Sequence, residues 1–100
     1  MLTLTEHHNG ATLVLRLIGT LDGAGVTPLR DRLAAIVSGR AVDVLADLSG
    51  VTHLDGAGIG ALAFMHRRLV AAGHRLGLTG ATGQPRDCLR DLGLTRLMAA

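Results

Sequence analysis

Hydrophobic and polar positions alternate with a period of two in three stretches and with a helical period in three others, and the two kinds interleave along the chain. Leu2 and Leu4 alternate with Thr3 and Thr5, which predicts a half-buried strand. Asn9-Gly10 is a hairpin signal leading into TLVLRLIG, where Leu13, Leu15 and Leu17 share one face. The first two strands are therefore expected to be antiparallel. VDVLADL, Val42 to Leu48, is apolar and partly β-branched, as an inner strand is. Leu76 and Leu78 alternate with Arg75 and Gly77 in a fourth strand.

The helical stretches fall between these strands. Gly19 to Gly25 reads as a loop carrying Asp22. Thr27 then has the position of an N-cap, with Pro28 at the first helical residue. Leu29, Leu33, Ile36 and Val37 form its apolar stripe, and Gly39 ends it. Ser49 and Gly50 signal a turn after the third strand. A second helix follows Asp55 and ends at Gly73, with Ile59, Leu62, Ala63, His66, Leu69 and Val70 on one face. A third runs from about Pro85 to Leu92, with Cys88, Leu89 and Leu92 inward and Gly93 as its stop. LTRLM docks after it as a short tail. The order β-β-α-β-α-β-α predicts a single α/β domain over residues 1–100. Its sheet is mixed, with four or five strands, and its three or four helices lie mainly on one face.

Composition narrows the class. Hydrophobic residues make up 48% of the chain but include one aromatic, Phe64, so the core must be built of Leu, Val, Ile and Ala. All ten basic residues are arginine, the net charge is only +2, and no run of like charge marks a nucleic-acid groove. Cys88 is the sole cysteine and cannot form an internal disulfide, which suits a reducing compartment. MLTLTEHH lacks the features of a signal peptide, and the longest uncharged apolar run, Gly56 to Met65, is too short to span a bilayer. These features lead us to expect a soluble cytoplasmic protein without membrane insertion.

The stretch from Asp47 to Arg68, DLSGVTHLDGAGIGALAFMHRR, is the most informative. Asp55 is placed to accept from the free N–H groups of the following helix. Gly56 and Gly58 lower helix propensity, so they must serve another purpose, such as leaving the backbone bare for another molecule. Gly56, Gly58 and Ala61 also match the G-x-G-x-x-G/A dinucleotide fingerprint. That motif needs its glycines directly after the strand and an acidic residue about 20 positions on. Eight positions separate Leu48 from Gly56, and no Asp or Glu lies between Asp55 and Asp87, so the nucleotide reading is rejected.

DLSGVTHLDGAGIG resembles the central signature of the STAS domain family, the anti-sigma factor antagonists and their relatives, which runs roughly DLS-x-V-x-F-[LM]-D-S-S-G-L-G. Asp47, Leu48, Ser49, Val51, Asp55, Gly58 and Gly60 fall on family positions, and Ile59 is a mild variant. His53 replaces the usual aromatic. Ala57 stands where antagonists of the regulated type carry the serine that their anti-sigma kinase phosphorylates. The resemblance extends from about Leu2 to Met98 and implies a STAS-like fold. It also implies that Asp22 and Asp55 flank the phosphorylation position.

Other candidate chemistry is weak. His7 and His8 are adjacent in a strand, point to opposite faces and cannot grip one metal together. His66 lies in the inward stripe and is expected to be hydrogen-bonded and partly buried. His53 has two readings, a partner contact or an ordinary surface histidine. Cys88 reads as a small core hydrophobe. Asp22, Asp47 and Asp55 would suit phosphate chemistry with Mg²⁺, but the chain has no lysine and no Gly-rich loop directly after a strand. No catalytic residue, metal site or cofactor is expected, and the protein is not read as an enzyme.

The outward face of the second helix is the better clue. At about 100° per residue, Ala57, Gly60, Ala61, Phe64 and Arg68 lie together, opposite Ile59, Leu62 and Val70. An aromatic ring beside small residues marks a surface for another protein. The alternative is a helix turned so that Phe64 sits at the core edge. The candidate partner-binding set is Asp22, His53, Asp55, Gly56, Ala57, Gly58, Gly60, Ala61, Phe64 and Arg68. Phosphate on a serine at a helix N-terminus adds about −1.5 to −2 charge, which the helix end tolerates and a partner would feel. Ala57 has no hydroxyl, and Ser49 and Thr52 lie ahead of the helix, off the phosphorylation position.

By this resemblance the chain binds an anti-sigma factor of the ATPase-kinase type and acts in transcription regulation without the usual off-switch. Two alternatives stand beside that reading. One is a STAS subunit of a bacterial lipid-transport ABC complex, a type that also carries alanine at this position. The other is a small-ligand-sensing STAS domain. A weak homodimer is left open.

Overall fold

A computed structural model describes residues 2–23, 26–38, 43–91 and 93. The chain forms β1 (Leu2–Asn9), β2 (Thr12–Leu21), α1 (Val26–Ser38), β3 (Asp43–Leu54), α2 (Gly56–Ala71), β4 (Leu76–Thr79) and α3 (Gly83–Asp91). The strands make one mixed four-stranded sheet in the order β1-β2-β3-β4. β1 and β2 are antiparallel through a two-residue turn at Gly10 and Ala11, and β2–β3 and β3–β4 are parallel.

Alternation within the strands decides which face the helices cover. Leu13, Leu15, Leu17 and Leu21 of β2 and Val44, Ala46 and Leu48 of β3 are buried and form the core with Leu29 of α1, Leu62 and Leu69 of α2 and Leu89 of α3. Val14, Arg16 and Ile18 point to the other face, where Ile18 is 42% exposed. There Thr5, His7, Val14, Arg16 and Asp47 line a shallow concavity of about 260 Å³. The helices thus sit mainly on one face, as the short chain requires. Leu2 and Leu4 pack at the edge of that core, and Glu6 pairs with Arg32 of α1 on the helical side. No described helix is long and apolar enough to cross a membrane.

Several sequence expectations shift. α1 begins at Val26, one residue before Thr27, and α3 begins at Gly83, two before Pro85. Ser49 and Gly50 do not reverse the chain, because β3 continues through them to Leu54. They form an irregularity: Arg16 faces Asp47 and Ile18 faces Gly50, so β3 carries an extra residue there, and a second between Val51 and His53. The Asp47 carboxylate accepts from the Ser49 N–H at 2.9 Å and from Arg16 Nε at 3.3 Å, bracing the bulge. Those contacts, the Ser49 backbone first, hold its carboxyl below the usual carboxylate range. A turn signal and a bulge signal use the same residues, since both need the backbone to leave the regular ladder. The Leu33 and Val37 side chains, Gly39, Leu92 and the LTRLM tail lie outside the described residues.

α2 also sits in a different rotation from the one its apolar pattern suggested. Its buried residues are Gly58, Ala61, Leu62, Met65 and Leu69. Val70, expected inside, is 53% exposed, and Ala61, expected outside, is 0% exposed. His66 is partly buried as expected, but its Nδ1 is enclosed without a hydrogen-bond partner. The helix ends in a Schellman pair, with His74 N–H donating to Leu69 O at 2.8 Å and Gly73 N–H to Val70 O at 3.0 Å.

Candidate functional site

The site grows from the shared C-terminal end of β2 and β3. Leu21 pairs with Leu54 in register, so Asp22 and Asp55 leave the sheet side by side. Asp55 is the N-cap of α2: its Oδ1 accepts from Gly58 N–H at 3.1 Å, and its carbonyl accepts the first helical bond from Ile59 at 2.9 Å. Asp55 N–H in turn donates to Leu21 O at 3.4 Å, which ties the cap to β2. The Asp22 carbonyl accepts from Val26 N–H at 3.0 Å and so shapes the entry to α1. Asp55 therefore has structural work at this corner through its side chain, and Asp22 through its backbone carbonyl.

The glycines divide into two groups. A Cβ on Gly58 would run into Leu21 O and lie 2.7 Å from Leu54 Cδ1 and 2.9 Å from Leu21 Cγ. The first turn of α2 therefore lies directly on the end of β2, and no larger residue fits. A Cβ on Gly56 or Gly60 would meet nothing within 4 Å. Folding does not demand glycine at either place, although glycine in a helix interior is unfavourable by about 1 kcal/mol against alanine.

Around this bare stretch the structure brings together part of the expected set. Gly56 is exposed, Ala57 and Gly60 are half-buried, and Arg68 is exposed on the same flank. Phe64 is half-buried, lies outside the hydrophobic core cluster, and has the Arg68 guanidinium carbon 5.7 Å from its ring centroid. It is neither the solvent-facing ring that the outward-face pattern predicts nor a core residue. Ala61 and Gly58 leave the candidate surface, because both are buried beneath it. His53 is exposed at the end of β3, next to Leu54. Thr52 is exposed, and its hydroxyl donates to Gly19 O at 3.3 Å. Ser49 is exposed and seven residues ahead of Gly56, so neither hydroxyl occupies the helix end.

The strand also ends later than expected, which removes one objection to the nucleotide reading, since Gly56 does follow β3 closely. The other objection stands: no acidic residue follows until Asp87. The Asp55 carboxylate moreover occupies a first-turn N–H that a pyrophosphate would need. Among the described residues no group of three or more His, Cys, Asp or Glu side chains is arranged to hold a metal ion.

One residue at the site escaped sequence reading. Gln84 of α3 accepts from Leu54 N–H at 2.8 Å and donates to Leu54 O at 2.7 Å. Thirty positions of separation leave no local signal for it.

Comparison with known proteins places this geometry. The anti-sigma factor antagonist SpoIIAA of Bacillus, in its unphosphorylated form, superposes with a TM-score of 0.85 at 24% identity, over 97% of this chain and 86% of that one. An anti-sigma factor antagonist from Mycobacterium paratuberculosis superposes at 0.86 with 20% identity, over 98% and 83% of the two chains. The murine anion transporter Slc26a9 matches at 0.74 with 19% identity, where 90% of this chain covers 15% of the transporter. At these identities the likeness is one of fold, and the fold occurs in both antagonists and transporters. No curated protein matches the sequence. The family model described as "Mlab, STAS domain" matches residues 4–99, and the chain therefore belongs to the STAS domain family.

Proposed function

We propose that this protein is a binding module of the anti-sigma factor antagonist kind, which docks an ATPase-type anti-sigma kinase on the outer flank of α2. The observation that carries the reading is the open space over Gly56 and Gly60. Gly60 weakens the helix interior and Gly56 stands at its first position, and the fold would accept alanine at both. Beside them lie a half-buried aromatic ring outside the core cluster and an exposed arginine. Arg and aromatic residues are enriched among the groups that dominate interface energies. The docking set is Asp22, His53, Asp55, Gly56, Ala57, Gly60, Phe64 and Arg68, with Asp22 and Asp55 shaping the corner. Ala57 offers no acceptor for phosphate, so binding is constitutive. The lone cysteine supports a place in the cytoplasm.

A second reading, a STAS subunit of a lipid-transport complex, is supported by the alanine at position 57 that this chain shares with such subunits. One experiment separates the two. The full chain is used as bait in extract of its native cells, with and without ATP, and retained proteins are identified by mass spectrometry. Recovery of a serine-kinase anti-sigma factor, undiminished by ATP, is expected. Recovery of permease and ATPase subunits instead selects the second reading.

A further inference from the structure

β3 is longer than its neighbour on one side. β4 pairs with it over Val44 to Asp47, while β3 runs on to Leu54. Parallel strands send the N–H and C=O of a given residue to the same side. Leu54 directs both toward α3, and the next N–H, that of Asp55, turns back to Leu21 of β2. Backbone groups at a strand end need partners, and β4 stops too early to supply them. The chain leaving β4 crosses close over Asp47 and Ser49 at Gly80, then runs beside β3 into α3. There the Gln84 amide takes the place of a strand residue, one donor and one acceptor against one acceptor and one donor.

From this geometry we infer that Gln84 is a positioning residue for the docking surface, and that α3 controls that surface through it. The chain of contacts is short. Gln84 holds Leu54; Leu54 precedes Asp55; Asp55 caps Gly58; and Gly58 seats the first turn of α2 on Leu21. Anything that draws α3 away from β3 removes both bonds at once and leaves the cap tied to the sheet through the 3.4 Å bond of Asp55 N–H to Leu21 O. The inference rests on the proposed docking role of α2, yet the contact chain stands or falls without it.

Amide hydrogen exchange measured by NMR on the full chain tests it, using Gln84→Leu and Gln84→Glu. In Gln84→Leu, exchange at Leu54, Gly58 and Ile59 should quicken by about tenfold or more relative to the β1–β2 hairpin, as expected for the loss of two hydrogen bonds. Gln84→Glu keeps the size and one acceptor but sets a carboxylate oxygen against Leu54 O. Its exchange ratio to wild type should be high near neutral pH and return toward one as the new carboxyl is protonated and regains a donor. Acceleration confined to Leu54, or equal throughout the molecule, or independent of pH in Gln84→Glu, overturns the inference. Local acceleration as described, together with a Phe64→Ala variant that binds its partner as wild type does, would leave the contact chain standing and discard only the docking role.

Discussion

Gly58 and Gly60 lie two residues apart on α2, roughly 200° around the helix from one another. On the inner side, Gly58 is pressed between Leu21 and Leu54, and the absent side chain is what lets helix and sheet meet. On the outer side, Gly60 has open space above it, and the absent side chain leaves a bare surface. The same residue type thus answers a packing demand on one face and none on the other. On the proposed reading, the outer face is left bare for recognition by another molecule.

The largest effect should come from the inner side. Gly58→Ala forces its methyl against backbone that cannot move without parting β2 from α2, and we expect a loss of roughly 3 kcal/mol or a failure to fold. Denaturant melting measures it; a variant as stable as wild type would show that α2 does not sit where described. Asp55→Ala removes the cap that joins both faces and should cost about 1 kcal/mol, read in the same melts. Phe64→Ala sharpens the outer side. It should cost well under the ~3–5 kcal/mol of a buried phenylalanine while weakening partner binding. A loss in that upper range would make Phe64 a core residue.

A smaller effect belongs to Asp47 and the bulge behind the site. Its carboxyl is held below the usual range by Ser49 and Arg16, so the folded state binds the proton less well than the unfolded chain. The stabilisation is complete above the unfolded value near 4 and fades as pH falls through the lowered folded value. Asp47→Asn keeps an acceptor for Ser49 but cannot titrate. Its stability should therefore fall less steeply than that of wild type as pH drops below about 4. Parallel acid melting curves for the two proteins would remove Asp47 from the account. The effect is small because Arg16 is largely exposed and water screens the pair.

The element order, the antiparallel opening hairpin, the buried Leu13-Leu15-Leu17 face and the Asp55 cap were legible because each is written in neighbouring residues. The rotation of α2 was not. Ile59, Ala61, Leu62, Ala63, Phe64, Met65, Leu69 and Val70 place apolar groups almost all round the helix, so periodicity allows more than one buried stripe. The contact of Gly58 with Leu21 selects among them, and it joins residues thirty-seven positions apart. The Gln84 clamp was hidden for the same reason. Ser49 and Gly50 signal a turn, yet they form a bulge, since pairing with β2 resumes at Gly50 opposite Ile18.

Gly60→Gln tests the central claim most directly, by its affinity for the recovered partner in titration calorimetry, alongside its melting temperature. Glutamine is a better helix former, and nothing within 4 Å obstructs its Cβ, so the variant should melt at or above the wild-type temperature. Its side chain would stand on the bare surface, and binding should weaken by about tenfold or more. A variant equally stable and equally tight would contradict the account, because the open face of α2 would then have no occupant to exclude.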